Sequence, residues 1–540
     1  MSPGEPAPGS AAAAADEHRA RRAFHAVVTN WHIFALAAIV VAGFLVRLYF
    51  LGKYTEYTAD SYYFLLLARS IRETFTYTIG GVAHTKYLPG YPGAIWLGSY
   101  VLGGIQQSAN ILAITGGALT ALVTYGIGRE LFDKWVGVVA ALIVALQPTF
   151  LKWTSLPMTE GIFTLFFSLG VYLVLTGCRR ASPVRRLLGF ACGGYCLLVR
   201  WEGVLFLPLA ILLLIIYFKE SKLRWWEAPL MLVFFAGPIG VYVARNLIAT
   251  GRITAYEVEF RQHTEVSIRL LAHRFKVYAW QGMSDVLFYI FFYVGALVCL
   301  LQRKWKAFFA LGGWFALFVV FHMAWYYAYE RFMAPAAPVV ALFSAFLIVW
   351  MFRGAYSLGE ADGPLKNRAQ RLRWIGCVLS VGLLVLLVAH GLFAANRAIS
   401  LDAQAFADDH GGKGMKQAAE WLKSNAPGQI VGVDAGPYFN WVYDAGVLYT
   451  RPVPWDLPVE ERDVDGPHPV QMLYERGATH MVVGQTTNGV EAELTTLSIR
   501  PEELSRLKEV ARFTNDYTLG KEKLTLATVV YEILPPPGLP

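Results

Sequence analysis

This sequence is poor in charge. Asp, Glu, Lys and Arg make up 16% of its 540 residues, whereas a soluble globular domain carries about a quarter. Cysteine is scarce too: the five, at 178, 192, 196, 299 and 377, fall in or beside apolar segments. No disulfide framework and no CxxC metal site is implied, and Cys192 with Cys196, one helical turn apart, read as two packed thiols. There is no GxGxxG, no P-loop and no internal repeat, which sets aside a nucleotide cradle and a solenoid.

What is present is apolar surface, at 56% hydrophobic and 14% aromatic residues. Trp31 to Leu51, Pro229 to Ile248 and Ile375 to Ala395 each approach or exceed the roughly 20 residues that cross a bilayer as helix. The formal net charge of +8 does not point to nucleic acid, because the Lys and Arg residues sit in short clusters between apolar runs rather than on one face. Such clusters occur at Arg129 with Lys134, Arg179 to Arg186, Lys219 to Arg224, Arg303 to Lys306 and Arg353 to Arg373. Placing them all in the cytoplasm fixes the parity of the spans between them. It also requires Leu187 to Phe218, interrupted by Arg200-Trp201-Glu202, to be two short helices meeting at the outer face.

The expected fold is therefore an α-helical polytopic membrane protein of about 11 transmembrane helices, in the cell (inner) membrane, with a cytoplasmic N-terminus. Residues 1–22 read as a disordered tail, 23–398 as the membrane domain and about 52–108 as its first outer loop. Residues 399–540 read as a small periplasmic α/β domain, with a helix at Met415 to Ser424 and strands at Gln429 to Val433, His480 to Val483 and Ala527 to Ile533.

Chemistry-bearing residues gather at the expected outer ends. Asp60 stands before Tyr62 to Glu73, an amphipathic stretch that predicts a helix lying in the interface plane. The same spacing fits Asp60 as the N-cap of that helix. His84 to Pro92 places Lys86 among aromatics and prolines, where it is either a phosphate ligand or a snorkelling lysine. Arg200 and Arg331 offer charge-assisted contacts to an anion, or simply close helix ends by pairing with Glu202 and Glu330. Glu160 opens a span, where Thr159 or Glu160 itself fits a cap. His84 and His263 could hold a divalent cation, but two distant histidines assign no metal. Asp463-Val464-Asp465 reads as a solvated turn.

Taken together, these strings resemble the C-type (GT-C) membrane glycosyltransferases, in the group of protein O-mannosyltransferases and lipid A aminoarabinose transferases. The matching features are Asp60 before an interfacial helix, the segment His84 to Pro92, Arg200-Trp201-Glu202-Gly203, and Arg331-Phe332-Met333-Ala334-Pro335-Ala336-Ala337-Pro338. Many members carry Asp-Glu at the first site, and this chain has Asp60-Ser61. The resemblance implies a polyprenyl-phosphate-linked sugar as donor, membrane lipids around it, and a protein, lipid or glycan as acceptor. It implies Asp60 as general base of an inverting transfer, with Lys86, Arg331 and Arg200 on the donor phosphate and Glu160, His84 and Glu202 in supporting positions. Burial is expected to raise the Asp60 pKa toward neutrality while nearby cations restrain the rise. The rival readings are a multi-span lipid or glycan transporter or flippase, and a non-catalytic scaffold.

Overall fold

The computed structural model describes residues 30–79, 82–255, 268–281, 286–325, 328–357, 366–409, 412–433, 437–443, 447–449, 469–484, 501–519 and 522–536. The tail at 1–22, His263 and Asp463 to Asp465 lie outside the described residues.

Among those residues, seven helices are long and apolar enough to cross a membrane. An eighth candidate is Lys134–Leu146 with Pro148–Thr154, bent by 59° at the break. Pro148 causes the bend, since it supplies no amide to the preceding turn, and Gln147 caps the new helix by accepting from the Phe150 amide at 2.6 Å. The carbonyl of Ala145, near the end of the first half, accepts from Arg47 at 3.0 Å. Arg47 is a buried charge in the apolar Trp31–Leu51 helix that the sequence reading passes over; it also donates to Thr154 Oγ1 at 2.7 Å and to Gly43 O at 3.0 Å. A cation so placed satisfies the exposed carbonyl end of a broken helix.

Burial sorts the bundle into centre and rim. The stretch Glu330–Ser357 is wholly enclosed over its most apolar window, whereas Trp31–Leu51 is 22% buried and Gln370–Ala403 17%. The apolar side chains those two leave uncovered suit contact with hydrocarbon rather than water. Leu187 to Phe218 divides as expected into the helices Pro183–Val199 and Phe206–Ile216, separated by a tight turn at Trp201–Leu205. Basic side chains from separate connections also meet, since Arg179, Arg303, Lys304 and Lys306 line one cleft with Glu130 and Glu220.

The helix Lys366–Asp409, 44 residues long, spans about 66 Å at about 1.5 Å per residue and leads out of the bundle into the C-terminal part. There Ile430–Val433 pairs in parallel with both Val447–Tyr449 and Ala478–Gly484. The hairpin Leu507–Leu519 and Glu522–Ile533 adds antiparallel to Ala478–Gly484, giving a five-stranded sheet. The helix Gly412–Asn425 and the three predicted strands are all present. Leu507–Leu519 is an additional strand at the sheet edge; its charged residues, with Glu509 and Arg512 paired on the surface at 2.6 Å, obscure the alternation that would have marked it.

This part of the chain sits on the first loop. Tyr438 donates to Glu56 at 3.2 Å and meets Tyr62 edge-on at 5.1 Å, and Arg69 lies over the Trp441 ring at 4.1 Å. The amphipathic segment is accordingly a helix over Ala59–Thr74 that is buried on all sides from Phe64 to Ala68. That departs from the single buried stripe expected of an interfacial helix, because the C-terminal residues cover its other flank.

Candidate active site

Asp60 is not the cap of its helix. Thr58 occupies that position and its Oγ1 accepts from the Ser61 amide at 3.2 Å. Ser61, fully buried, completes the turn through Thr58 Oγ1 at 3.0 Å and Met158 Sδ at 3.2 Å. The Asp60 carboxylate, in the first helical turn, is thereby directed to other partners. Its Oδ1 accepts from the Tyr87 hydroxyl at 2.6 Å and its Oδ2 meets Arg331 Nη2 at 2.7 Å.

Two glycines bring the other segments close. A Cβ on Gly90 would stand 2.7 Å from the Leu198 carbonyl, so only glycine lets the Lys86–Tyr87 segment lie against the end of the Pro183–Val199 helix. A Cβ on Gly203 would meet the Leu197 amide nitrogen at 2.4 Å, so glycine also permits the turn after Arg200 to fold back on that helix. Arg331 arrives from a different direction, on the tight turn Glu330–Ala336 that leads into the enclosed Ala337–Ser357 helix.

The result is a chain of alternating charges. From Asp60 it passes to Arg331, whose Nε stands 4.0 Å from Glu160. Glu160, fully buried, pairs with Arg200 at 2.6 Å, and Arg200 pairs in turn with Glu202 at 2.6 Å. Arg200 also donates to Thr159 at 3.0 Å. The chain ends at His322, whose Nε2 stands 3.5 Å from Glu202. A partly open cleft is lined by Asp60, Lys86, Tyr87, Arg200, Glu202 and Arg331, with aromatic walls from Trp201, Trp325 and Phe332.

Burial disfavours the Asp60 carboxylate, but the Arg331 guanidinium, the hydrogen bonds from Tyr87 and Arg331 and the Lys86 ammonium outweigh it, so its pKa lies below the ordinary aspartate value. This reverses the expected rise, because the sequence reading underweighted direct contact with Arg331. Burial, and after it the cations of Lys86 and Arg245, pushes the His84 imidazole down to about 3. Its Nε2 accepts from the Tyr87 amide at 3.1 Å and its ring stacks on Tyr87 at 5.5 Å. His84 therefore sits behind Tyr87 and outside the cleft lining, with that ring nitrogen engaged. Among the described residues no three His, Cys, Asp or Glu side chains form a metal-holding group.

Of the expected site residues, Asp60, Lys86, Arg200, Glu202 and Arg331 face one cleft and Glu160 lies under its floor. Of the two local ion pairs anticipated, Arg200 with Glu202 is present at 2.6 Å, whereas Arg331 meets Asp60 and Glu330 turns to Lys152 at 2.8 Å. Tyr87 and His322 were missed. Tyr87 lay in view beside Lys86, whereas nothing in the sequence near His322 links it to Glu202.

The dolichyl-phosphate-mannose-protein mannosyltransferase family profile matches residues 83–242, which hold Lys86, Glu160, Arg200 and Glu202. The chain superposes on ArnT from Cupriavidus metallidurans bound to undecaprenyl phosphate with a TM-score of 0.62 at 12% identity, covering 93% of this chain and 98% of that one. This is the GT-C fold. AglB, the oligosaccharyltransferase of Archaeoglobus fulgidus, in complex with an inhibitory peptide and a dolichol-phosphate, aligns over 92% of this chain and 74% of its own. Its TM-score is 0.55 at 13% identity. No curated protein sequence matches. The GT-C architecture accounts for the apolar bundle with a small C-terminal sheet.

Proposed function

We propose that this chain is an integral-membrane glycosyltransferase that moves a monosaccharide from a polyprenyl-phosphate carrier to an acceptor hydroxyl, with Asp60 as general base. The observation that carries the reading is the pairing of Asp60 with Arg331 in a cleft that Lys86 also lines. The cluster holds three carboxylates, Asp60, Glu160 and Glu202, and three cations, Lys86, Arg200 and Arg331. An arriving phosphate brings excess negative charge, so it draws Arg331 and Lys86 toward itself and loosens Arg331 from Asp60. The freed carboxylate then takes the proton of the acceptor hydroxyl as that oxygen attacks the anomeric carbon. The bond from that carbon to the phosphate oxygen breaks on the opposite face, inverting the configuration. The carrier leaves as a phosphate whose new charge Arg331 and Lys86 neutralise. Glu160, Thr159 and Glu202 hold Arg200 as a strut of the cleft wall.

The fold and the lipid phosphates in the ArnT and AglB structures favour a lipid-linked donor over a nucleotide sugar. The basic residues gathered at one cleft support a cytoplasmic placement of that end, in keeping with an Asp60 cleft and a domain 399–540 on the periplasmic side of a membrane domain at 23–398. The acceptor, whether protein, lipid or glycan, is to be found by experiment. Full-length protein in nanodiscs is incubated with candidate labelled polyprenyl-phosphate sugars, and lipids that co-purify with it are identified by mass spectrometry. A sugar-bearing polyprenyl phosphate among those lipids, consumed when acceptor is supplied, is the expected result; a protein that transports such lipids without cleaving the sugar–phosphate bond defeats the reading.

A further inference from the structure

Arg331 has a nearer carboxylate in sequence than Asp60, namely Glu330, and the two do not pair. Glu330 is held elsewhere. Lys152, at the end of the bent Pro148–Thr154 helix, bonds Glu330 Oε1 at 2.8 Å and Asp402 Oδ2 at 2.7 Å. Its side chain is 8% exposed, against 28% for Glu330 and 25% for Asp402, so the three form a partly buried triad. The triad lies close to the site, because Lys152 Nζ and the Arg331 guanidinium stand 4.8 and 5.8 Å from the centroid of the same buried Trp153 indole. Tyr329 is within electrostatic reach of Arg331, Lys152, Asp402 and Glu330 together.

We infer that Lys152 is a positioning residue: by binding Glu330 and Asp402 it keeps Glu330 from Arg331 and so reserves Arg331 for Asp60 and the donor phosphate. Without Lys152, two carboxylates would be left beside the Trp153 ring that Arg331 also faces. A charge in low-dielectric surroundings takes the partner within reach. Arg331 would then be drawn from the cleft toward Glu330, and the phosphate would lose its ligand. Asp402 belongs to the long Lys366–Asp409 helix, so the same triad ties the position of Arg331 to the helix that bears the C-terminal sheet.

This inference rests on the proposed phosphate role of Arg331, and the experiment separates the two. Binding of undecaprenyl phosphate to full-length protein in detergent is measured for wild type, Arg331→Ala, Lys152→Met and Lys152→Met/Glu330→Gln. Lys152→Met is expected to weaken binding about tenfold, equal to ~1.4 kcal/mol. The double variant, having no competing charge on residue 330, is expected to recover to within about twofold of wild type. A lysine that merely props the bundle would lower the thermal stability of Lys152→Met while the folded protein bound the lipid as wild type does. Weak binding by Arg331→Ala with undiminished binding by Lys152→Met overturns the positioning role and leaves the phosphate role standing. Undiminished binding by Arg331→Ala overturns the phosphate role itself. A double variant that folds yet binds as weakly as Lys152→Met, or failure of both Lys152 variants to fold, overturns the positioning role, since Lys152 would then serve the bundle rather than Arg331.

Discussion

Asp60 and Arg331 meet at 2.7 Å from the first loop and from the turn before the enclosed helix, while Tyr87 holds the other Asp60 oxygen at 2.6 Å. Both oxygens of the proposed base are therefore engaged in the resting site. A carboxylate so held is a weak base, and it becomes a useful one only when something takes Arg331 away. The donor phosphate is the group suited to do so.

Asp60→Asn tests the base directly. Thr58 supplies the helix cap, so the substitution is expected to leave insertion and folding intact. Transfer should fall by about 10²- to 10⁴-fold, the usual worth of a general base. Undecaprenyl phosphate should bind as well as before or more tightly, because Arg331 no longer has a carboxylate to satisfy. Activity assays and lipid binding on the same preparation decide it, and near-normal transfer would move the search to Glu160.

The pH dependence should differ between kcat/KM and kcat. In the free protein the Asp60 pKa is depressed, so the base is ionised from neutrality down past its ordinary value of about 3.9. With donor bound, Arg331 turns to the phosphate and the nearby negative charge raises the Asp60 pKa. A base acts only when deprotonated, so activity is lost as pH falls, and the loss should begin at a higher pH in kcat than in kcat/KM. The same depression means that the stabilising contribution of Asp60 is present above its unfolded pKa and lost only as pH falls through the lower folded value. Rate profiles at saturating and limiting donor provide the check, and an acid limb at higher pH in kcat/KM contradicts the release of Asp60 by phosphate.

Arg200 and Arg331 should fail in different ways. Arg200 is shared by Glu160 and Glu202 at 2.6 Å each, and Glu160 is completely buried. Arg200→Ala leaves that carboxylate with Arg331 at 4.0 Å as its remaining cation, and breaking a buried pair costs up to about 3–5 kcal/mol. It should therefore appear as reduced yield and thermal stability. Arg331→Ala should keep the fold and lose stabilisation by added undecaprenyl phosphate. Thermal melts of each variant with and without that lipid distinguish them; an Arg200→Ala protein as stable as wild type removes its role as a strut.

The difference between these two arginines could not be read from the sequence. Asp60, Lys86, Arg200 and Arg331 were legible as candidates because each lies in a short string next to an apolar run. Their local neighbours then suggested the wrong partners for Arg331 and the wrong cap at Asp60. Pairing in a folded bundle is settled by which helices pack together, and Lys152, Glu330 and Asp402 meet from three separate elements. The strand at Leu507–Leu519 was hidden for another reason: an edge strand in water tolerates charge, so the period of two is lost. The break at Arg200 was readable because charge parity along the chain required it.

The last expectation concerns the contact between the C-terminal part and the helix that carries Asp60. Arg69 stacks over Trp441 at 4.1 Å and its Nη2 donates to the Trp441 carbonyl at 3.5 Å, while Tyr438 bonds Glu56 at 3.2 Å. Trp441→Ala removes the indole from this junction, and a cation over an aromatic ring contributes about 0.5–2 kcal/mol. The Ala59–Thr74 helix should open more often, so that hydrogen exchange of its amides quickens by about two- to thirtyfold. Neither Trp441 nor Tyr438 lines the cleft, so binding of undecaprenyl phosphate should persist. Transfer should drop, because the base rides on a helix no longer held from its outer side. Unchanged exchange across Ala59–Thr74 in the Trp441→Ala protein would show that the bundle alone fixes this helix.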